Sequence, residues 1–392
     1  MDRYPRSVTE SGPPRLTRYD LDRDRVGALL SDLPRFRADQ LWHALYKRFA
    51  EPVDAHELPA TVRRRLAEMP ELSSALIVER ELHADAGSTL KWMFSLDGGH
   101  RIETVLMHHP RHSTVCVSSQ AGCAMDCSFC ATGQAGFSRQ LSTGEIVEQV
   151  VRAARAAEQG KRRLDHVAFM GMGEPLANLK NVWPAVERII DAIGIGVRHV
   201  TISTVGVVPG IRALAESGRQ VNLAVSLHAA NDELRNSLVP LNRRYPLETL
   251  VEACASYISA THRRISFEWA LIDHVNDRRR DADELASLAR RVGAHVNLIP
   301  LNPTPLGTAQ GLSGSPPFRV ASFRAALIER GVNATVRRTR GREIDAACGQ
   351  LAAGWVPLQS ESLGRGAPRF SAGAAVQAVP SGPTAVGPGR LG

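Results

Sequence analysis

Residues 116–139 read CVSSQAGCAMDCSFCATGQAGFSR, and the reading of the whole chain turns on them. Cys123, Cys127 and Cys130 follow the spacing C-x3-C-x2-C, so three of the six cysteines fall within eight residues. Thiolates this close converge on soft metal, and sets of four cysteines usually saturate zinc or an iron–sulfur cluster. Three local thiolates with no evident fourth point instead to a cubane cluster with one iron left open. An open coordination position is a reaction site. Gly122 and Gly133 give the flanking backbone freedom to wrap a cluster, and Phe129 between two of the ligands can shield it from water. Two plainer readings compete: a zinc site completed by His108, His109 or His112, and thiols that bind nothing. Three cysteines at this spacing rarely arise by accident.

Around this stretch lies a chain of 392 residues, enough for one large domain with accessories. Hydrophobic residues make up 43%, and no run approaches the roughly 18 apolar residues of a membrane span. MDRYPRSVTESGPPRLTRYD lacks the apolar core of a secretory signal, so a cytoplasmic location and no membrane partner are expected. A reducing compartment suits cysteines used as ligands and catalysts rather than as disulfides. The net charge of +8 fits a polyanionic partner. Nearly all of the positive charge is arginine, since lysine occurs only at positions 47, 91, 161 and 180.

Taken in order, residues 1–16 are polar, proline-containing and aperiodic, and are expected to be disordered. Residues 17–75 form a small helical accessory domain: Val26, Leu29, Leu30 and Leu33 make one stripe, and Leu41, Leu45 and Phe49 another. Arg63, Arg64 and Arg65 there could meet phosphate or simply face solvent. Residues 76–112 are a linker holding a β-hairpin that turns at Asp97-Gly98-Gly99. From 113 to 351 strand and helix alternate. The expected strands are 114–118, 166–170, 199–203, 221–226, 265–271 and 295–300, with a further apolar stretch at Val332 to Val336 after a helix over 316–330. Ser142 and Glu145 form a capping box ahead of one helix. Repeated βα units argue an α/β fold with a parallel sheet, either open or curled into a barrel. Residues 357–392, mostly small residues and proline, read as a disordered tail.

Gly171-Met172-Gly173-Glu174-Pro175 follows the strand HVAFM. Glycines let a ligand approach the backbone, and Glu174 or a nearby carbonyl can accept from an ammonium group; a tight strand-to-helix turn is the plainer reading. Cys254, in the helix VEACASYI, reads as a small buried hydrophobe. Arginines at 337, 338, 340 and 342, at 243–244 and at 162–163 could grip phosphate.

C-x3-C-x2-C with an aromatic residue before the last cysteine resembles the signature of the radical S-adenosylmethionine (SAM) enzymes. The longer string CVSSQAGCAMDCSFCATGQAGF resembles one branch of them, the RlmN/Cfr adenine methyltransferases that modify RNA, and the similarity runs from about Arg37 to about Leu351. It implies a radical-SAM partial (β/α)6 barrel with the cluster loop after the first strand. It also implies a 4Fe-4S cluster on Cys123, Cys127 and Cys130, with SAM on the fourth iron. SAM would be held by Gly173 and Glu174, by Ser203 in ISTVG, by Ser226, Leu227 and His228 in VSLHA, and by Asn302 in LIPLNP. In the same family a methylated cysteine lies in a context like GREIDAACGQ, a resolving cysteine in CVSSQ, and a proton-accepting acid in RIETV. Those roles fall on Cys348, Cys116 and Glu103.

The implied route suits a ring carbon that is electron-poor and cannot attack SAM directly. One SAM methylates the Cys348 thiolate. A second is reduced to a 5′-deoxyadenosyl radical that takes hydrogen from the S-methyl group, and the carbon radical then adds to adenine C2. Cys116 attacks Cys348 in a disulfide-forming step as a base takes the ring proton. The implied partners are 23S ribosomal RNA at the peptidyl-transferase centre, some transfer RNAs at the adenosine 3′ of the anticodon, and an external electron donor of the flavodoxin type. The target adenine must be unpaired or extruded. A monomer is expected. The nearest rival is C8 methylation by a Cfr-like enzyme; the string FRADQLW favours the RlmN side. A rival of another class is a zinc-bound RNA-binding protein without catalysis.

Overall fold

The computed structural model describes residues 15–352. The tail 357–392 and all but the last two residues of the segment 1–16 lie outside them. Twelve strands are present among the described residues: β1 Ile77–Ala84, β2 Thr89–Ser95, β3 Arg101–His108, β4 Ser113–Cys116, β5 Gln120–Gly122, β6 Phe137–Gln140, β7 His166–Phe169, β8 Val200–Thr204, β9 Asn222–Ser226, β10 Ser266–Leu271, β11 His295–Pro300 and β12 Ala334–Val336. Ten of them form one sheet in the order β1-β2-β3-β4-β7-β8-β9-β10-β11-β12, and β5 pairs with β6 alone. From β4 to β12 every neighbouring pair is parallel, whereas β1 to β4 run antiparallel. No ladder joins β1 to β12, so the barrel is partial, with an open seam.

Each expected strand is present, and the hairpin turns at Asp97–Gly99. β1 was not foreseen. Its first five residues are exposed and include Glu79, Arg80 and Glu81, so it lacks the apolar alternation that marks a half-buried strand. The backbone ladder to β2 holds it, as suits a charged edge strand.

Side chains alternate along the parallel strands. Phe169, Ile202, Val225, Phe267 and Leu298 point outward beneath the helices and are all but fully buried, each contributing about 1.5–3 kcal/mol. Ser203, Ser226, Glu268 and Ile299 point into the barrel. The helix Thr143–Gln159 starts at the expected capping box: Ser142 Oγ accepts from Glu145 N at 3.1 Å and Glu145 returns the bond to Ser142 N at 2.9 Å. Cys254 is fully buried in the helix Leu247–Thr261.

The N-terminal helices Arg23–Leu29, Phe36–Tyr46 and Ala60–Glu68 bury Val26, Leu41, Leu45 and Leu66. They dock on the outer helices through Gly144 N to Asp20 Oδ1 at 2.6 Å and Arg155 Nε to the Phe49 carbonyl at 2.7 Å. Among the described residues no helix is long and apolar enough to cross a membrane.

Candidate active site

The cysteine loop leaves the carboxyl end of β4 and is pinched at its base by the β5–β6 ribbon. Cys123 N donates to the Gly136 carbonyl at 2.8 Å. Gly122 takes φ +76°, and a Cβ there would lie 1.9 Å from the Gly136 carbonyl oxygen, so only glycine closes this base. Gly133 is needed for contact rather than for its backbone angle: its Cβ would meet Cys127 N at 3.0 Å. Cys123, Cys127, Phe129 and Cys130 all line one cavity at the carboxyl ends of the strands, with about 970 Å³ of space open to solvent. That is the usual place of a cofactor site in a parallel α/β fold.

Burial raises all three thiols, Cys123 to about 12, and each is pushed further by a neighbouring thiol. Buried sulfurs that crowd one another with little protein cation between them fit a metal cluster that supplies the positive charge. The competing zinc arrangement fails on position. His112 lines a separate cavity at the amino ends of the strands, beside His166 and His295.

The SAM candidates mostly gather on the same cavity: Gly173, Glu174, Ser203, Ser226, His228 and Asn302 all line it. Leu227 does not. It is fully buried, its N–H bonded to the Glu268 carbonyl, so its contribution is to hold the strand end rather than to face a ligand. Glu174 is committed to the backbone, accepting from Leu176 N at 3.0 Å and Val205 N at 2.8 Å, and burial raises its carboxyl to about 7. It clamps the ends of β7 and β8, which leaves the glycine backbone beside it for a ligand's ammonium. His228 Nδ1 accepts from Ala270 N at 2.9 Å, which places the ring proton on Nε2. Burial lowers its pKa to about 3, so the ring is a neutral donor. Asn302 Oδ1 is buried with no partner, an acceptor waiting for a ligand N–H or O–H.

Residues 337–352 leave β12 and cross the open seam. Arg340 Nη1 reaches the His108 carbonyl at 2.7 Å, Gly341 N reaches Asp85 Oδ2 at 2.9 Å, and Ala131 N donates to the Gly349 carbonyl at 2.8 Å. This path lays Cys348 on the wall of the three-cysteine cavity. It also brings Cys348 beside Cys116 in a small adjoining cavity, and both thiols are free. Burial raises Cys116 to about 12, and Cys348 adds to the shift. Glu103 lines neither cavity. It lies under the crossing segment, accepting from Ala352 N at 3.1 Å and paired with Lys91 at 3.2 Å.

Several site residues escaped the sequence reading. Arg235 is 1% exposed and donates to the Leu227 and Val205 carbonyls and to Asn242 Oδ1, bracing two strand ends beneath the cysteines. Glu268 lines the cavity with Oε2 unpartnered; a lone acid on the inward face of ISFEWAL was its available signal. Arg337, grouped in the sequence with phosphate-gripping arginines, points inward and lines the cavity with Cys348. Arg340 is spent on the seam, whereas Arg338 and Arg342 remain exposed.

Residues 117–286 match the Radical SAM superfamily. Together with the partial barrel and the three-cysteine cavity, this defines a radical SAM enzyme, a class that uses a 4Fe-4S cluster and SAM. A probable dual-specificity RNA methyltransferase RlmN from Parafrankia sp. (strain EAN1pec) is 49% identical over 88% of this chain and 93% of its own length. The dual-specificity RNA methyltransferase RlmN 1 of Myxococcus xanthus is 47% identical over 86% and 94%. The crystal structure of a radical SAM methyltransferase from Sphaerobacter thermophilus superposes with a TM-score of 0.82 at 47% identity, covering 86% of this chain and 99% of that one. The chain belongs to the RlmN family of radical SAM methyltransferases.

Proposed function

We propose that this protein methylates C2 of an adenosine in the peptidyl-transferase centre of 23S ribosomal RNA, and of the adenosine 3′ of the anticodon in some transfer RNAs. The observation that carries the reading is the placement of Cys348, on the wall shared by the three-cysteine cavity and the pocket holding Cys116. A methyl carrier must face both the group that activates it and the thiol that releases it.

Cys123, Cys127 and Cys130 hold the cluster, which when bound supplies reductive cleavage of SAM. The backbone at Gly173, with Ser203, Ser226, His228 and Asn302, positions SAM; Phe129, in edge contact with His228 at 4.6 Å, keeps water from the cluster. Cys348 takes the methyl group as a thiolate and later stays bonded to the RNA through it. Cys116 displaces that bond by attack on the Cys348 sulfur. Its high pKa favours the resting thiol, so it becomes nucleophilic only on losing its proton. Glu103 accepts the ring proton once the crossing segment gives it access. Exposed Arg338 and Arg342 bind RNA phosphate. A flavodoxin-type donor supplies electrons, and the protein acts as a cytoplasmic monomer.

Nucleoside mass spectrometry of RNA treated with anaerobically reconstituted protein tests this. 2-Methyladenosine is expected; 8-methyladenosine would give the Cfr-like assignment, and unmodified RNA would overturn the reading.

A further inference from the structure

Lysine is scarce in this chain, at four positions only, and one of the four is almost completely buried: Lys91, in β2, is 3% exposed. An ammonium leaves water only for strong compensation. Lys91 Nζ lies 3.2 Å from Glu103 Oε1 and donates to the Asp345 carbonyl, also at 3.2 Å. Glu103, equally buried, uses its other oxygen to accept from Ala352 N at 3.1 Å, and its carbonyl accepts from Ser118 Oγ at 2.6 Å. The antiparallel register sets Lys91 opposite Val105 and Met93 opposite Glu103, so the pair is a diagonal contact on one face of the hairpin. That face is the one over which the Cys348 segment passes. Lys91, through two polar contacts of its own and a third made by Glu103, therefore links the hairpin acid to both ends of the stretch 345–352.

We propose that Lys91 is a positioning residue for the release step: it holds the Glu103 carboxylate charged and in register with the segment that carries Cys348. The inference rests on the reading of Glu103 as proton acceptor. In that step the ring C–H bond breaks, its electron pair stays on the ring, and the proton passes to a carboxylate oxygen. Each oxygen keeps a lone pair beyond the bond it now accepts. A carboxylic acid has no place for the proton. Burial pushes Glu103 toward that acid form, Asp345 pushes the same way, and the charge of Lys91 is the main opposing influence. Lys91 is the cation facing it. β4 presents Cys116, paired with Val105, as a neutral thiol, and on the opposite face of β3 Thr104 meets only Gln149.

The sign follows. Without Lys91, burial of Glu103 is opposed only by the bond from Ala352 N, so the acid form gains and release shifts to higher pH. The experiment follows adduct formation and adduct release separately, by denaturing gel, in the reconstituted enzyme with RNA from about pH 6 to about pH 9. Lys91→Met should form the protein–RNA adduct as wild type does but release it about a hundredfold more slowly at neutral pH, with the acid limb of the release profile displaced upward. Lys91→Arg, which keeps a cation, should restore the wild-type profile. A merely structural lysine would slow both phases equally at every pH, and that result, or wild-type release by Lys91→Met, would overturn the proposal. If Lys91→Met does not fold, Lys91→Met/Glu103→Gln removes both charges. It should release no more slowly than Glu103→Gln alone, and a further loss would contradict the proposal. Absence of any adduct in Cys116→Ala would instead count against the methyl-carrier reading.

Discussion

The side-chain amide of Asn302 donates to the Cys348 carbonyl at 3.1 Å, while Asn302 Oδ1 is buried with no partner. One residue thus fixes the segment holding Cys348 and keeps an acceptor open on the cluster cavity. Asn302→Ala should weaken SAM binding by about 1–2 kcal/mol, roughly five- to thirtyfold in Kd, in protein whose iron content is unchanged. Calorimetry with SAM checks this; unaltered affinity would assign Oδ1 to water.

Two glycines at the base of the cysteine loop separate space from backbone angle. Gly122 and Gly136 both have positive φ, but only at Gly122 does an added Cβ collide, 1.9 Å from a carbonyl, with nothing within 4 Å at Gly136. Gly136→Ala should cost about 1–2 kcal/mol of stability and keep the cluster. Gly122→Ala should lose the loop geometry and with it the iron, read as a loss of brown colour and of bound iron. Equal iron in both variants would show that the ribbon does not set the loop.

The parallel core was legible because its strands are short segments rich in apolar residues and bounded by turns, as in Val167–Phe169 and in Phe267, Trp269 and Leu271. The cysteine loop was legible because its spacing is local. What the sequence hid depends on pairing across long separations. β1 carries charge on an edge strand and shows no apolar period. Leu227 and Arg337 exchanged expected places, one turned to the core and the other to the cavity, because side-chain direction at a strand end is set by neighbours rather than by motif. Glu103 and Lys91 are joined only through hairpin register and the crossing of residues 345–352.

Glu174 makes stability depend on pH. Its folded pKa is near 7 against an ordinary 4.5, because burial outweighs the bonds from Val205 N and Leu176 N. Between those values the native state keeps a proton that the unfolded chain has released, so stability is fully present below about pH 4.5 and falls as pH rises through 7. Glu174→Gln should flatten that fall by about 3 kcal/mol between pH 5 and pH 8, measured by urea unfolding. Parallel slopes would mean that the carboxyl ionises as it does in the unfolded chain.

Arg338 and Arg342 are exposed and have no ion pair among the described residues, and neither is tied to the seam as Arg340 is through the His108 carbonyl. Replacing both by Gln should reduce the salt dependence of RNA binding by about one unit of log–log slope for each phosphate that is no longer neutralised. SAM cleavage without RNA should be unaffected. An unchanged slope would place the RNA elsewhere.

The central claim is that Cys348 carries the methyl group and Cys116 releases it, and the covalent adduct tests this most directly. Cys116→Ala protein, reconstituted and supplied with RNA, SAM and reductant, should accumulate a slow, nuclease-sensitive band on a denaturing gel. Peptide mass spectrometry should then map the nucleotide to Cys348. The Cys116→Ala/Cys348→Ala protein should give no band although its cluster is intact. A band that persists without Cys348, or normal turnover by Cys116→Ala, would contradict the account.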